Sequence, residues 1–368
     1  MDDEKIYQVS LSLIPGIGDI TAKTLLSYCG SAKEIFKKSK TQLAKIPGIG
    51  LINADKIKSF TNFSEASKEI EKCEQNKVDI LFFTDKKYPK KLKHAPDSPA
   101  VLYYKGNSDL NNPKMVAIVG TRKSTNYGRQ FTEKIVEQLA PHNVLIVSGL
   151  AYGIDINAHK AALKYGLETV GVMASGLDII YPSIHRGIAT EMLQCGGLLT
   201  EFRIGEKPEA HNFPARNRII AGMCDATIVV EAAVRGGALI TAEIANSYSR
   251  DVFALPGDAG TRSSEGCNNL IKSNKAHLLT SVKDIEYIMN WEPQSIPVGI
   301  EEKYYDFSKL TNDEKSVIET LNLSSDGLVL DELSWKSQIP LNKLASVLLN
   351  LEFSGIVKTI PGKKYKLI

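Results

Sequence analysis

Three polar stretches, two of them glycine-bearing, hold the residues whose types and spacing could do chemistry. In Gly120-Thr121-Arg122-Lys123-Ser-Thr125, glycine lets the backbone approach an anion, hydroxyls and amides supply donors, and Arg122 offers a guanidinium fork for phosphate. Ser148-Gly149-Leu-Ala-Tyr-Gly153-Ile-Asp155 is a second glycine-flanked turn leading into a helix, with His159 one turn further on. In Phe213-Pro-Ala-Arg-Asn-Arg-Ile-Ile220, Pro214 suits the N1 position of a helix, which places Arg216, Asn217 and Arg218 in the first turn, where anions are favoured. Phe213, just outside, can stack on a base. An aromatic beside clustered arginines suits single-stranded nucleic acid, because every base has a π-face and every nucleotide a phosphate. The competing reading is a core phenylalanine and a structural arginine ion pair.

The remaining polar residues read as structural. Asp155 caps or orients its helix, His159 is packed or hydrogen-bonded, and Ser175-Gly-Leu-Asp-Ile-Ile-Tyr-Pro182 is a shaping loop with Asp178 and Tyr181 structural. Arg235-Gly-Gly-Ala-Leu-Ile-Thr241 is a fourth glycine loop, opening a helix that bears Glu243. No G-x-G-x-x-G follows a strand and no G-x-x-x-x-G-K-[ST] occurs, which removes support for NAD binding and P-loop ATP hydrolysis. His159, His185 and His211 lack metal-ligand spacing, and the five cysteines include no C-x-x-C pair. The expectation is therefore no metal, no disulfide framework and no cofactor.

These stretches follow a regular framework. Met115–Val119, Val144–Val147, Glu168–Met173, Leu198–Thr200, Ala226–Val230 and Asp251–Ala254 are short apolar runs, each ending in polar residues and alternating with amphipathic helices. Continuous apolar strands alternating with helices specify a parallel sheet covered on both faces, an α/β Rossmann-like doubly wound domain. Ligands of such sheets bind beyond the carboxyl ends of the strands, where the polar loops lie. All nine arginines also fall in this middle segment. Before it, Leu13-Ile-Pro-Gly-Ile-Gly18 and Lys45-Ile-Pro-Gly-Ile-Gly50 form an internal repeat that resembles the helix-hairpin-helix motif. Such hairpins either bind DNA backbone phosphates or pack against neighbours. KKYPKKLK (86–93) reads as a solvated linker face. After Trp291 a proline-bearing stretch reads as a linker, then a capping box at Thr311–Glu314, helices near 330–336 and 341–352 and a terminal hairpin specify a winged helix.

The expected organisation is an all-α helix-hairpin-helix (SAM-like) domain at 1–80, a Rossmann-like domain at 81–290, a linker at 291–308 and a winged helix at 309–368. The 368 residues are 43% hydrophobic and 24% charged with net charge +3, which fits a globular chain and excludes a disordered or fibrous one. No run approaches the roughly 18 apolar residues of a membrane span, and the polar N-terminus is unlike a signal peptide, so a cytoplasmic protein without membrane contact is expected.

Taken in order, GTR (120–122), SGLAYGID (148–155), SGLDIIYP (175–182), FPARNRIIAG (213–222), GGALITAE (236–243) and LPGD (255–258) resemble the DNA-processing protein A family, DprA or Smf, over essentially the whole chain. The resemblance implies a homodimeric recombination mediator that binds single-stranded DNA and loads a RecA-type recombinase during natural transformation, without enzymatic turnover. It implies a DNA groove lined by Gly120, Thr121, Arg122, Lys123, Ser148, Gly149, Gly153, Phe213, Arg216, Asn217 and Arg218. Arg235-Gly-Gly departs from the Ser-Gly-Ser of many members. A second reading is a nucleoside-monophosphate phosphoribohydrolase, whose P-G-G-x-G-T-x-x-E signature is partly kept by Gly236, Gly237 and Glu243 but has Leu239-Ile240 in place of Gly-Thr. A third, a sequence-specific regulator, is disfavoured because LNKLASVLLNLE has no arginine for base readout.

Overall fold

Nine strands form one sheet: β1 (Asp79–Phe82), β2 (Val101–Gly106), β3 (Met115–Val119), β4 (Leu145–Ser148), β5 (Thr169–Val172), β6 (Gly196–Thr200), β7 (Ala226–Val229), β8 (Asp251–Ala254) and β9 (His277–Leu278). Their order is β1-β2-β6-β5-β4-β3-β7-β8-β9, antiparallel at β1/β2 and β2/β6 and parallel elsewhere. The computed structural model describes residues 3–292, 310–322, 327–354, 356–360 and 364–367. The chain forms two compact units, residues 1–294 and 295–368.

The six expected strands are β3 to β8, six of the seven that have parallel neighbours, and their uniform apolarity has a direct cause. In β3, Met115, Ala117 and Val119 enter the core on one face, with Ile219 and Ile220, while Val116 and Ile118 enter the other, with Ile135 and Val136. KKYPKKLK is not a solvated face. Tyr88 and Leu92 are fully buried, and Lys91 ion-pairs with Asp225 at 2.6 Å. Lysine stems carry their heads to the surface here while the apolar residues between them fill the core.

Six helices precede the sheet, from Asp3–Leu13 to Phe63–Gln75. Gly16 and Gly48 take φ of 83° and 79° at equivalent points of the two hairpins, which is why the repeat holds glycine there. The helical part has no separate core: Val9, Leu25, Ile57 and Ile70 cluster with Ile80, Met173, Met192 and Leu198 of the sheet and its connections. Polar ties reinforce this packing. The Ala100 amide donates to Asp19 (2.8 Å), Lys23 donates to the Pro96 and Ser98 carbonyls (2.9 and 3.0 Å), and Arg203 pairs with Glu65 (2.7 Å). The division expected between residues 80 and 81 falls inside β1.

The second unit is a winged helix. Helices Asn312–Asn322, Leu330–Ser337 and Leu341–Phe353 pack on a three-stranded sheet, β10 (Leu328–Val329), β11 (Val357–Ile360) and β12 (Lys364–Leu367), ordered β10-β12-β11. The expected capping box is present: the Thr311 amide and hydroxyl donate to Glu314, whose own amide donates to the Thr311 hydroxyl (3.3 Å). The linker expected at 291–308 lies, beyond Glu292, outside the described residues. Among the described residues no helix is long and apolar enough to cross a membrane.

Candidate functional site

The order of the parallel strands reverses at β3, with β4, β5 and β6 on one side and β7, β8 and β9 on the other. At such a crossover the turns after the two central strands part, and a crevice opens at their carboxyl ends. Here the turns after β3 and β7 are tied by the Thr121 amide donating to the Glu231 carbonyl (2.7 Å). A cleft of about 570 Å³ lies over this tie, lined by Gly120, Thr121, Arg122, Tyr181, Phe213, Arg216, Asn217 and the Gly236-Gly237 turn.

Its rim is aromatic and cationic. Phe213 is half-buried, with the exposed Arg122 guanidinium 5.5 Å from its ring centroid and Tyr181, 51% exposed, at 5.8 Å. The three side chains come from three separate connections and present a π-face beside a positive charge. A second groove of about 520 Å³ shares Thr121 and Arg122 with the cleft and continues past Lys123 to Thr261, Arg262 and Ser263. Arg122, Lys123 and Arg262 are all exposed along it.

The floor is built differently. Arg216 is 4% exposed, and its guanidinium donates to the carbonyls of Gly149 (2.6 Å) and Val172 beside the buried Asp155. Burial pushes the guanidinium down to about 10, with Asp155 opposing, so it stays charged at neutral pH. Burial pushes the Asp155 carboxyl up, with Arg216 opposing. A Cβ at position 149 would stand 2.6 Å from both partners, so Gly149 makes room for this pair. Asn217, half-buried, accepts from Arg216 Nε (3.3 Å).

The remaining residues expected in the groove are distributed by the same packing. Ser148 is fully buried and donates to the Ile118 carbonyl (2.6 Å), and Gly149 is buried with its amide donating to Asp155 (3.2 Å), so neither is open to a ligand. Gly153, at φ 79°, is placed for loop-to-loop contact, because a Cβ there would overlap the Thr121 carbonyl oxygen. Arg218 leaves the cleft altogether. It donates to Glu201 and the Asp97 carbonyl and lies 3.4 Å from Asp19 of the helical part. Two residues along a helix turn a side chain by about 200°, so Arg216 and Arg218 cannot share a face. The helix begins at Asn212, which puts Pro214 third in it rather than first, still within the turn whose amides need no partner.

His159 is a core residue, as expected: Nδ1 pairs with Thr169 Oγ1 (2.7 Å), and burial, with the Arg216 and His185 charges, pushes it down to about 3. Glu243 pairs with Lys275 (2.8 Å) and does not line the cleft, and among the described residues no group of histidine, cysteine or acidic side chains could hold a metal ion. Tyr181, expected from sequence to be structural, lines the cleft, and Arg262 and Glu231 are lining residues outside the sequence motifs. Arg262 follows the LPGD turn after β8 and was accessible to the rule that loops at strand carboxyl ends form sites. Glu231 had no motif to mark it.

Residues 79–290 match the family described as DNA recombination-mediator protein A, residues 10–61 a SAM-like helix-hairpin-helix tandem and residues 308–363 a DprA winged helix domain. The chain belongs to the DNA recombination-mediator protein A family. Protein Smf of Synechocystis is 32% identical over 99% of each chain, and DNA processing protein DprA of Streptococcus pneumoniae is 44% identical over 54% of this chain and 70% of that one. Among solved structures of this family, the Streptococcus pneumoniae protein superimposes with a TM-score of 0.67 at 35% identity, covering 79% of this chain and 99% of that one. The DNA processing protein A of Helicobacter pylori, solved for its single-stranded DNA binding mode, has a TM-score of 0.53 at 30% identity and covers 58% of this chain and 97% of that one.

Proposed function

We propose that the crossover cleft binds single-stranded DNA and that the chain, as a cytoplasmic homodimer without turnover of its own, delivers a RecA-type recombinase to the bound strand. The observation that carries the DNA reading is the rim: Arg122 over the Phe213 ring at 5.5 Å, with Tyr181 beside it, at the mouth of a glycine-walled cleft. A base stacks on Phe213 or Tyr181 without being read, and Arg122, Lys123 and Arg262 meet successive phosphates along the adjoining groove. The buried Arg216–Asp155 pair supports the rim from beneath rather than touching the strand. Membership of the recombination-mediator family and the binding mode studied in the Helicobacter pylori relative support the same reading.

The test is fluorescence anisotropy of a labelled dT oligonucleotide and of its duplex, titrated with wild type and with Phe213→Ala/Arg122→Ala. Preference for the single strand that collapses in the double variant supports the reading and justifies a recombinase-loading assay. Duplex binding that is tighter and unaffected by the variant moves the function to another surface.

A further inference from the structure

A doubly wound sheet ordinarily offers a phosphate one place above all others, the start of the helix that follows the first parallel strand, where free amides and the helix dipole converge. In this chain that place is filled from within. The turn after β7 carries Glu231, 2% exposed, across the crossover to the start of the helix Asn126–Leu139. Its Oε2 accepts from the Thr125 amide (2.9 Å) and its Oε1 from the Thr125 hydroxyl (2.5 Å). That hydroxyl in turn accepts from the Gly128 amide (3.2 Å) and caps the helix. A Cβ at residue 128 would overlap the carboxylate, so glycine stands at 128 to admit the carboxylate rather than a ligand. At the second strand–helix turn the carboxylate is local instead, Asp155 of the helix's own first turn accepting from the Gly149 amide (3.2 Å).

We infer that Glu231 is an internal anion that determines specificity. It occupies the position of a mononucleotide's phosphate, so the cleft refuses small nucleotides at its floor and takes phosphates only at its rim, on Arg122 beside Phe213. Glu231 also positions that rim, because Thr125 closes the same turn that carries Arg122. The rim half of this inference rests on the DNA reading above. The floor half does not.

The experiment uses the full chain as wild type, Glu231→Ala and Glu231→Gln. Thermal unfolding is followed while chloride is exchanged for millimolar inorganic phosphate at constant ionic strength, and dTMP is titrated against a bound labelled dT oligonucleotide. Glu231→Ala should melt below wild type and recover saturably, by about 3 °C at ten times the phosphate Kd. Glu231→Gln fills the space without the charge and should melt low without recovery, and wild type should not respond. In the alanine variant dTMP should displace the oligonucleotide at least ten-fold more readily than in wild type. Equal phosphate responses in all three proteins would overturn the inference. So would a glutamine variant as stable as wild type, which decides the matter if the alanine variant does not fold. If wild type binds no oligonucleotide, the DNA reading fails while the phosphate melts still judge Glu231.

Discussion

Removing the Phe213 ring separates stacking from charge at the rim. The ring is half-buried, with the Tyr181 ring centroid at 5.8 Å and the Arg122 guanidinium at 5.5 Å. A base stacked on an aromatic contributes about 1–3 kcal/mol, so Phe213→Ala should weaken binding of a dT oligonucleotide about 5- to 150-fold. It neutralises no phosphate, so the slope of log affinity against log salt should stay where it was. Arg122→Ala should do the reverse. Losing one phosphate contact flattens the slope by about 0.7, which between 50 and 200 mM salt is about a 2.6-fold difference in affinity. The guanidinium–ring contact couples the two, and an exposed contact of this kind is worth about 0.5–1 kcal/mol, so the double variant should fall short of additivity by about that much. Anisotropy titrations at four or five salt concentrations, on single strand and duplex, read all of these quantities. An unchanged affinity in Phe213→Ala, a slope change in it matching that of Arg122→Ala, or an equal loss on duplex would each refute the stacking argument.

Arg218→Ala should destabilise the fold by about 1–3 kcal/mol in chemical denaturation, because it removes the guanidinium's bonds to Glu201 and the Asp97 carbonyl while Glu201 takes up a proton, and single-strand affinity of the folded protein stays the same; lost affinity at unchanged stability would return Arg218 to the groove. Burial raises the Glu201 carboxyl from 4.5 to about 7 against the pull of Arg218, so the folded state holds that proton more tightly than the unfolded one. Stability should therefore decline as pH rises from about 4.5 to 7, by up to about 3 kcal/mol, and Glu201→Gln should flatten this decline in pH-dependent denaturation. His159 has the opposite sign: held down near 3 in the fold, it should erode stability as pH drops below about 6.5, and His159→Gln should lessen that acid sensitivity in thermal melts. Gly153→Ala, strained at φ 79° and overlapping the Thr121 carbonyl, should displace the Arg122 turn and weaken oligonucleotide binding together with stability; a variant equal to wild type in both would show that the two turns need not touch.

The parallel strands β3 to β8 were legible because a strand buried on both faces must be apolar throughout, and Met115–Val119 and Ala226–Val229 announce themselves in sequence. β1, β2 and β9 were not. β9 has two residues, and β1 and β2 extend the sheet in antiparallel fashion from a lysine-rich stretch whose buried Tyr88 and Leu92 alternate with surface charge. At the site, Arg122 and Phe213 were legible as an exposed cation and aromatic on loops at strand ends. Arg216 and Arg218 looked alike in sequence, yet one lies under the cleft and the other reaches toward Asp19, because side chains two apart on a helix point about 200° from each other and tertiary packing decides which of them faces the cleft. Ser148, Gly149 and Gly153 look like a phosphate loop, since glycine serves close approach whether the approaching group is an anion or another turn of the same chain. Asp155 decides this within the stretch itself, six residues from Gly149, whereas Glu231 decides it from the end of a different strand, which no local spacing encodes.

The core shared by the helical part and the sheet sets an order of events during synthesis. The helices up to Gln75 emerge first, but Met192 and Leu198, which help complete their core, leave the ribosome roughly 120 residues later. At about 5–20 residues per second that interval is about 6–24 s. For that time the nascent helices carry an uncovered apolar face, and it is in this window that the chain is most exposed to chaperone capture or to pairing with another nascent copy.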